Sequence, residues 1–200
     1  MPICKCDSKR GLVAVLGAVA GLLLLTGGYL WMLGGTTPSR PAIGGPFTLV
    51  ASNGQAVTDQ SFRGRYVLLY FGYTSCQDVC PVTLSAVADA MDVLGAKSAR
   101  VQPLFVTVDP ARDTPAVVGR YVAGFTPRLL GLTGTPGQIR QMEQDYHVTS
   151  SIHPGSGPTE YTVDHSSVLY LIGPDGRYLA PIRADGSGKE IATAISLHLS

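Results

Sequence analysis

Tyr70–Pro81 reads YFGYTSCQDVCP, and it joins a strongly apolar β-type run, Tyr66 to Phe71, to a segment with helical periodicity, Val82 to Ala96. At the junction stand Cys76 and Cys80, separated by Gln77, Asp78 and Val79. If the turn into the helix is helical, positions i and i+4 share a face. Two sulfurs then point the same way, close enough to bridge each other or to hold one metal ion. A helix N-terminus favours thiolate over thiol, so both cysteines are expected to be more nucleophilic than a free cysteine.

Toward the amino end, residues 11–33 contain no charged residue and are dominated by Leu, Val, Ala and Gly. About 20 such residues span a bilayer. Lys5, Lys9 and Arg10 precede the run, and Tyr29 and Trp31 lie near its far end. The positive-inside rule then puts residues 1–10 in the cytoplasm and the rest outside. The expected location is the inner membrane, single-pass, with the C-terminal domain in a periplasm, or in the mitochondrial intermembrane space of a eukaryote. A cleaved secretory signal is the competing reading. A signal core has only about 7–15 apolar residues followed by a small-x-small site, whereas this run is longer and leaves through the bulky GYLWML. Residues 34–46, GGTTPSRPAIGGP, have linker composition. Extended, they reach on the order of 40 Å.

Residues 47–200 are long enough for a single packed core. Their net charge is −2, eleven Lys and Arg against thirteen Asp and Glu. Nothing in them resembles the basic stripe that binding nucleic acid requires. Cys4 and Cys6 precede the anchor and receive no role; Cys76 and Cys80 are the two cysteines of the exported part. In an oxidising compartment such a pair is a disulfide by default. A staple closed over so few residues removes little unfolded-chain entropy, however.

The remaining pattern gives the fold. Asn53-Gly54 between Phe47–Val50 and Gln55–Thr58 signals a hairpin. Arg65 to Gly72 is a core strand, apolar on both faces and therefore central. Leu84, Val87, Met91 and Leu94 make a helical stripe in which Met91 belongs to the core. Val101 to Val108 is a second buried strand. Thr114 or Asp113 caps the next helix, with Pro115 at its first position. A short strand at Leu129–Leu132 precedes a helix from Thr135-Pro136 to about Tyr146. Thr149 to Asp164 reads as a polar loop without periodicity. His165 to Ile172 reads as a strand, turned by Gly173–Gly176 into a partner strand, Arg177 to Ile182, and Gly188 to Leu199 as a last helix. A βαβ unit with a cysteine pair opening its first helix, followed by a hairpin and a final helix, points to an α/β, thioredoxin-like domain with an added N-terminal β-hairpin.

Four histidines compete to complete the cysteine pair. His198 lies near the terminus and is expected on the surface. His147 follows a helix end and is expected to cap it. His153 sits in the polar loop, a minor candidate for an auxiliary contact. His165 opens a core strand whose end, in a thioredoxin-like sheet, faces the N-terminus of the first helix. Two thiolates and an imidazole suit copper in either oxidation state. Zinc prefers four ligands in a structural site, which would require Asp78 or His153 to join. With two thiolates, Cu(I) gives a net −1 and Cu(II) a neutral site.

FGYTSCQDVCP, VTVDPARDTP and VDHSSVLYLIGPDG, in this order behind one amino-terminal anchor, resemble the Sco/SenC family of copper proteins that assist cytochrome c oxidase assembly. The resemblance covers Phe47 to Ser200. It implies a thioredoxin-like domain with one copper ion per chain on Cys76, Cys80 and His165, and a role for Asp78 in transfer and partner contact. It also implies partners: the copper-site subunit of cytochrome c oxidase, other copper carriers, and the membrane through the N-terminal helix. Two positions depart from the family pattern, Ser75 where a His is usual and Gln77 where a Pro is usual. Neither is a ligand in the resemblance; both bear on partner choice or reduction potential. Asp109, Arg112 and Asp113 match its DPxRDTP signature, with capping and an internal ion pair as their plain account.

Three functions follow. The first is a metallochaperone delivering copper to the dinuclear copper centre of the oxidase. The second is a thiol-disulfide oxidoreductase, in which Cys76 and Cys80 are the catalytic pair that keeps a target's cysteines reduced. His165 separates the two, since reduction needs only the sulfurs. The third, a peroxidase of the peroxiredoxin type, expects Thr three residues before its nucleophile; that position is Tyr73 for Cys76 and Gln77 for Cys80.

Overall fold

The computed structural model describes Leu22, Thr26, residues 43–155 and residues 160–199. Of the expected anchor, 11–33, only Leu22 and Thr26 fall within these; both are helical, and the Thr26 hydroxyl donates to the Leu22 carbonyl at 2.8 Å. The rest of the anchor, the tail at 1–10 and residues 34–42 of the linker lie outside the described residues. A separate compact unit runs from Ala42 to Ser200.

In chain order this unit contains β1 (Thr48–Ala51), β2 (Ala56–Thr58), β3 (Tyr66–Gly72), α1 (Val79–Leu94), β4 (Val101–Thr107), α2 (Pro115–Ala123) and β5 (Leu130–Thr133). There follow α3 (Pro136–Asp145), β6 (Ser150–Pro154), β7 (Tyr161–His165), β8 (Val168–Ile172), β9 (Tyr178–Arg183) and α4 (Gly188–Ser196). Seven strands form one sheet in the order β2-β1-β5-β4-β3-β8-β9. β3, β4 and β5 are parallel; β1 and β8 join them antiparallel.

β3 is buried along its whole length, which explains its unbroken apolar sequence. Leu68 and Tyr70 face Leu84, Val87 and Met91 of α1 and Ile191 and Ile195 of α4. Val67, Leu69 and Phe71 face Ile139 and Met142 of α3. The single core expected from chain length is thus two cores, one on each side of the sheet. Each fully buried Leu, Ile or Phe contributes about 1.5–3 kcal/mol, and Met91 is among the core residues.

The helix ends follow their capping residues. Thr114 accepts from the Val117 amide and Pro115 opens α2. Thr135 with Gln138, and Ser187 with Glu190, form capping boxes for α3 and α4. His147 does cap α3, through its backbone and not through its imidazole. At φ +55° it takes the left-handed conformation, its amide donates to Gln144 O and the next amide, Val148, to Glu143 O. This is the reciprocal bonding of a Schellman turn.

Three expectations are corrected. α1 starts at Val79, a turn earlier than the periodicity implied, because Pro81 is tolerated in a first turn whose amides have no helical partner. The polar stretch 149–164 holds β6 and all but the last residue of β7, which among the described residues pair with each other and with no other strand. Among their residues Val163 is buried and Ile152 is 64% exposed, so the ribbon has no apolar face to announce it. Finally, His165 does not open the core strand. It ends β7, and Ser166 and Ser167 interrupt the chain before β8. Ser166 is bonded to Thr149 at the foot of β6 through backbone and hydroxyl, and Ser167 turns its hydroxyl to within 3.5 Å of the Tyr70 hydroxyl.

Among the described residues one helical stretch, Val79–Arg100, has the length and apolarity to cross a membrane. It is α1 and the turn after it, and its inner side is core.

Candidate metal centre

The site forms where three elements end together. β3 delivers the chain to a loop carrying Cys76, α1 carries Cys80 in its first turn, and the ribbon β6–β7 ends at His165. The ligand atoms of Cys76, Cys80 and His165 all lie within 4.8 Å of one another. Both cysteines are free; Cys80 is buried and Cys76 half-buried. His165 Nε2 stands 3.4 Å from Cys80 Sγ. Its Nδ1 is 3.1 Å from the Ser166 carbonyl oxygen, which can only accept, so Nδ1 carries the proton and the Nε2 lone pair faces the sulfurs. Burial holds the imidazole below its ordinary pKa, favouring the neutral ring that a metal needs. Tyr73 and Tyr70 meet this ring edge-on, with centroids 6.0 and 6.1 Å away.

The two sulfurs differ. Burial pushes the Cys80 thiol from an ordinary 9.0 up to about 12. The expectation that the helix terminus makes both cysteines better thiolates therefore fails at Cys80. A helix terminus contributes about 0.3–2 kcal/mol, less than the roughly 4 kcal/mol that such a rise represents. Cys80 is a thiol until something displaces its proton. A bound metal cation does this directly, by replacing the proton on sulfur. Asp78 is the N-cap of α1 but makes no side-chain capping bond, which leaves its exposed carboxylate available.

Other residues build the site without supplying a ligand atom, and sequence reasoning gave them no such role. Gly72 ends β3 with Cys80 Sγ and Phe105 packed against it. A glycine closing an apolar core strand was the signal for that close approach. Asp113, fully buried, accepts from the Thr74 amide at 3.0 Å, the Thr74 hydroxyl at 2.5 Å and the Thr107 hydroxyl at 2.6 Å. It ties the cysteine loop to the end of β4; Thr114, not Asp113, is the cap. Asp109 pairs with Arg112, as expected, and also accepts from the Tyr161 hydroxyl at 2.8 Å. Arg112 lies 3.6 Å over the Tyr161 ring and donates to the Tyr161 carbonyl at 3.0 Å. The DPxRDTP segment thus clamps the ribbon that carries His165. Nothing in the polar sequence around Tyr161 signalled this.

His153 is not brought to the site. It pairs across the ribbon with Asp164 at 2.9 Å and remains exposed. His198 follows α4, half-buried, and its carbonyl accepts from the Tyr66 hydroxyl at 2.7 Å. A cavity of about 600 Å³ lies against Val67 and Leu69 on the α3 side of the sheet, and none of the three candidate ligands lines it.

Fold and site together define a thioredoxin-like domain in which two sulfurs and one imidazole converge as a group that could hold a metal ion. The chain belongs to the SCO1/SenC family, whose profile matches residues 35–200. It is 38% identical over 162 residues to the human mitochondrial SCO1 homolog, covering 80% of this chain and 54% of that protein. It thus spans little more than half that relative's length. It is 35% identical over 186 residues to an SCO2-like protein of Rickettsia prowazekii, covering 86% of this chain and 91% of the relative. Among solved structures, Bradyrhizobium japonicum ScoI with copper bound superposes with a TM-score of 0.74 at 39% identity, covering 79% of this chain and all of that one. The donor set found here fits a single copper ion of the kind that this relative carries.

Proposed function

We propose that this protein is a membrane-anchored copper metallochaperone which holds one copper ion on Cys76, Cys80 and His165 and delivers it to the dinuclear copper centre of cytochrome c oxidase during assembly. The observation that carries the reading is the convergence of the three ligand atoms, with the histidine proton fixed on the far nitrogen. Residues 11–33 serve as the anchor, 34–46 as the tether and 47–200 as the copper-binding domain, on an exported side of the membrane. Asp78, exposed beside the sulfurs, is assigned to contact with the partner. Copper is cargo in this reading. The two sulfurs and the imidazole hold it, the tyrosine rings exclude water from one side, and half-buried Cys76 is the sulfur that a recipient reaches.

The second reading, a thiol-disulfide oxidoreductase, draws on the same asymmetry. Cys76 would attack a target disulfide as thiolate, and Cys80 would then lose its proton and attack Cys76, releasing the reduced target with two electrons transferred. The high pKa of Cys80 weighs against that second step, because the attacking species is the thiolate. Metal binding meets no such obstacle, since the cation itself displaces the proton.

The test is an anaerobic titration of the reduced, full-length protein with Cu(I) against a competing chelator. One tightly held copper per chain, weakened by His165→Ala while reduction of a small disulfide persists, supports the chaperone. Copper affinity unchanged by His165→Ala overturns the three-ligand site, and no retained copper with ready disulfide reduction favours the second reading.

A further inference from the structure

The open side of α1 beside the sulfurs is apolar and framed by acids. Val79 is 45% and Val82 66% exposed, on either side of inward-pointing Cys80 in the sequence. Single exposed apolar residues are ordinary, but two at the start of one helix, beginning three residues along the chain from half-buried Cys76, form a patch. Past Val82 this side continues through Ser85 to Asp89. Facing it, the turn into α4 brings Asp185 and Glu190, and the two elements enclose a groove of about 770 Å³. Among the described residues no lysine or arginine lines this groove. α1 itself contains none; its charges are Asp89 and Asp92, with Asp78 at its cap. Of the basic residues around this turn, Arg183 is held by Asp185 through two bonds of 3.0 and 2.8 Å, and exposed Lys189 in the first turn of α4 is not among the groove's lining residues. Glu190 remains anionic, its carboxylate stabilised by the Ser187 amide and hydroxyl.

We propose that this face of α1, with the turn into α4, docks the protein that exchanges copper with the site, and that this partner presents an apolar surface rimmed by Lys or Arg. The proposal rests on the copper-transfer reading above. Val79 and Val82 supply the dry contact and the acids the complementary field. Groups of one sign around a docking face raise association rates by about 10- to 1,000-fold at low salt. The position also suits the chemistry. Copper keeps its oxidation state as a bond to Cys76 is replaced by one to a partner thiolate, and the proton leaving the partner's thiol ends on the released Cys76. A partner seated on the first turn of α1 brings its ligand to the half-buried sulfur without displacing the ribbon that carries His165.

The experiment follows Cu(I) transfer from the loaded full-length protein to the soluble copper-site domain of the oxidase subunit, with copper affinity measured separately by chelator competition. Val82→Lys, and separately Asp89→Asn, are expected to leave affinity within about twofold while slowing transfer, with Val82→Lys about tenfold slower at low salt. Val93→Lys, about 16 Å further along the helix at 1.5 Å per residue, is expected to transfer as wild type. Wild-type transfer is expected to slow as salt is raised. Amide shifts induced by the acceptor should fall on residues 79–89 and 185–190. Unchanged transfer by Val82→Lys, or a footprint confined to residues 150–165, overturns the docking face while leaving the copper site standing. A wild-type protein that holds copper but neither transfers it nor shows a footprint overturns the delivery reading and the docking face together.

Discussion

Gly72→Ala isolates the contact on which the position of Cys80 depends. Gly72 is not among the residues with positive φ, so alanine is acceptable to the backbone and any effect comes from space. A methyl group there would lie 2.8 Å from Phe105 Cε2, 2.9 Å from Cys80 Sγ and 3.3 Å from Tyr70 Cε1. Comfortable contacts are about 3.5–4.0 Å, so the ring edge and the sulfur must each retreat by roughly 0.7–1 Å. Neither has anywhere to go, since Phe105 and Cys80 are both 0% exposed. Overpacking of this kind costs about 1–3 kcal/mol, and the stiffer unfolded chain returns about 0.4–1 kcal/mol. The net loss is up to about 2.6 kcal/mol, centred near about 1.3 kcal/mol, a fall of roughly 3–5 °C in Tm at that centre for a domain of this size. The displaced sulfur also spoils a ligand set that must be held within about 0.5 Å, so copper affinity should fall, tenfold for each ~1.4 kcal/mol of binding lost. Urea unfolding at constant slope gives the first quantity and chelator competition the second. Gly54→Ala is the control: at φ +83° with nothing within 4 Å it should cost stability but leave copper binding intact. Wild-type stability and wild-type copper affinity in Gly72→Ala would refute the reasoning.

Copper uptake should release the Cys80 proton, which alone makes apparent affinity rise with pH by about tenfold per unit, read by competition between pH 6 and 8. The same raised thiol makes a stability prediction. Its contribution is complete below the unfolded value of 9.0 and is lost as pH rises from there toward about 12, so the wild-type midpoint should fall faster than that of Cys80→Ala over that range. Tyr161→Phe removes the hydroxyl bonded to Asp109 while keeping the ring under Arg112; a loss of about 1.5–3 kcal/mol is expected, with faster amide exchange in β6–β7. Asp113→Ala leaves the Thr74 amide and the Thr74 and Thr107 hydroxyls without their acceptor and should cost about 1–3 kcal/mol in urea unfolding for each donor left unpaired, whereas Asp113→Asn, which keeps one carbonyl oxygen, should cost less.

What the sequence made legible is what burial writes into it. β3 and β4 read as strands because both of their faces are covered, and the stripe of Leu84, Val87, Met91 and Leu94 reads as a helix because one side is. Cys76 and Cys80 were legible as a pair from their spacing, whereas His165 was singled out as the head of a core strand, which it is not, and joined the set through the family resemblance. The ribbon was not, since β6 and β7 bury almost nothing: Val163 alone among their residues is buried, and polar residues in a two-stranded ribbon look the same as polar residues in a loop. Asp113 was misjudged for a related reason. A carboxylate next to a helix start is usually a cap, and only the folded chain reveals that its acceptors are turned inward to Thr74 and Thr107.

The same distinction bears on how the cysteine pair is to be understood. A symmetrical dithiol at a helix terminus, as spacing alone suggests, is suited to passing electrons because either sulfur ionises readily. Here the chain enters α1 a turn early, which carries Cys80 into the core and leaves Cys76 at the rim. Burial makes Cys80 a poor thiolate without a cation and a well-positioned ligand with one. The neutral imidazole at 3.4 Å, held there by the Arg112–Tyr161 clamp on its ribbon, adds a donor that reduction does not need. A pair so arranged gives up its proton to a metal more readily than to solvent, which is the property the proposed copper carrier needs and a reductant does not.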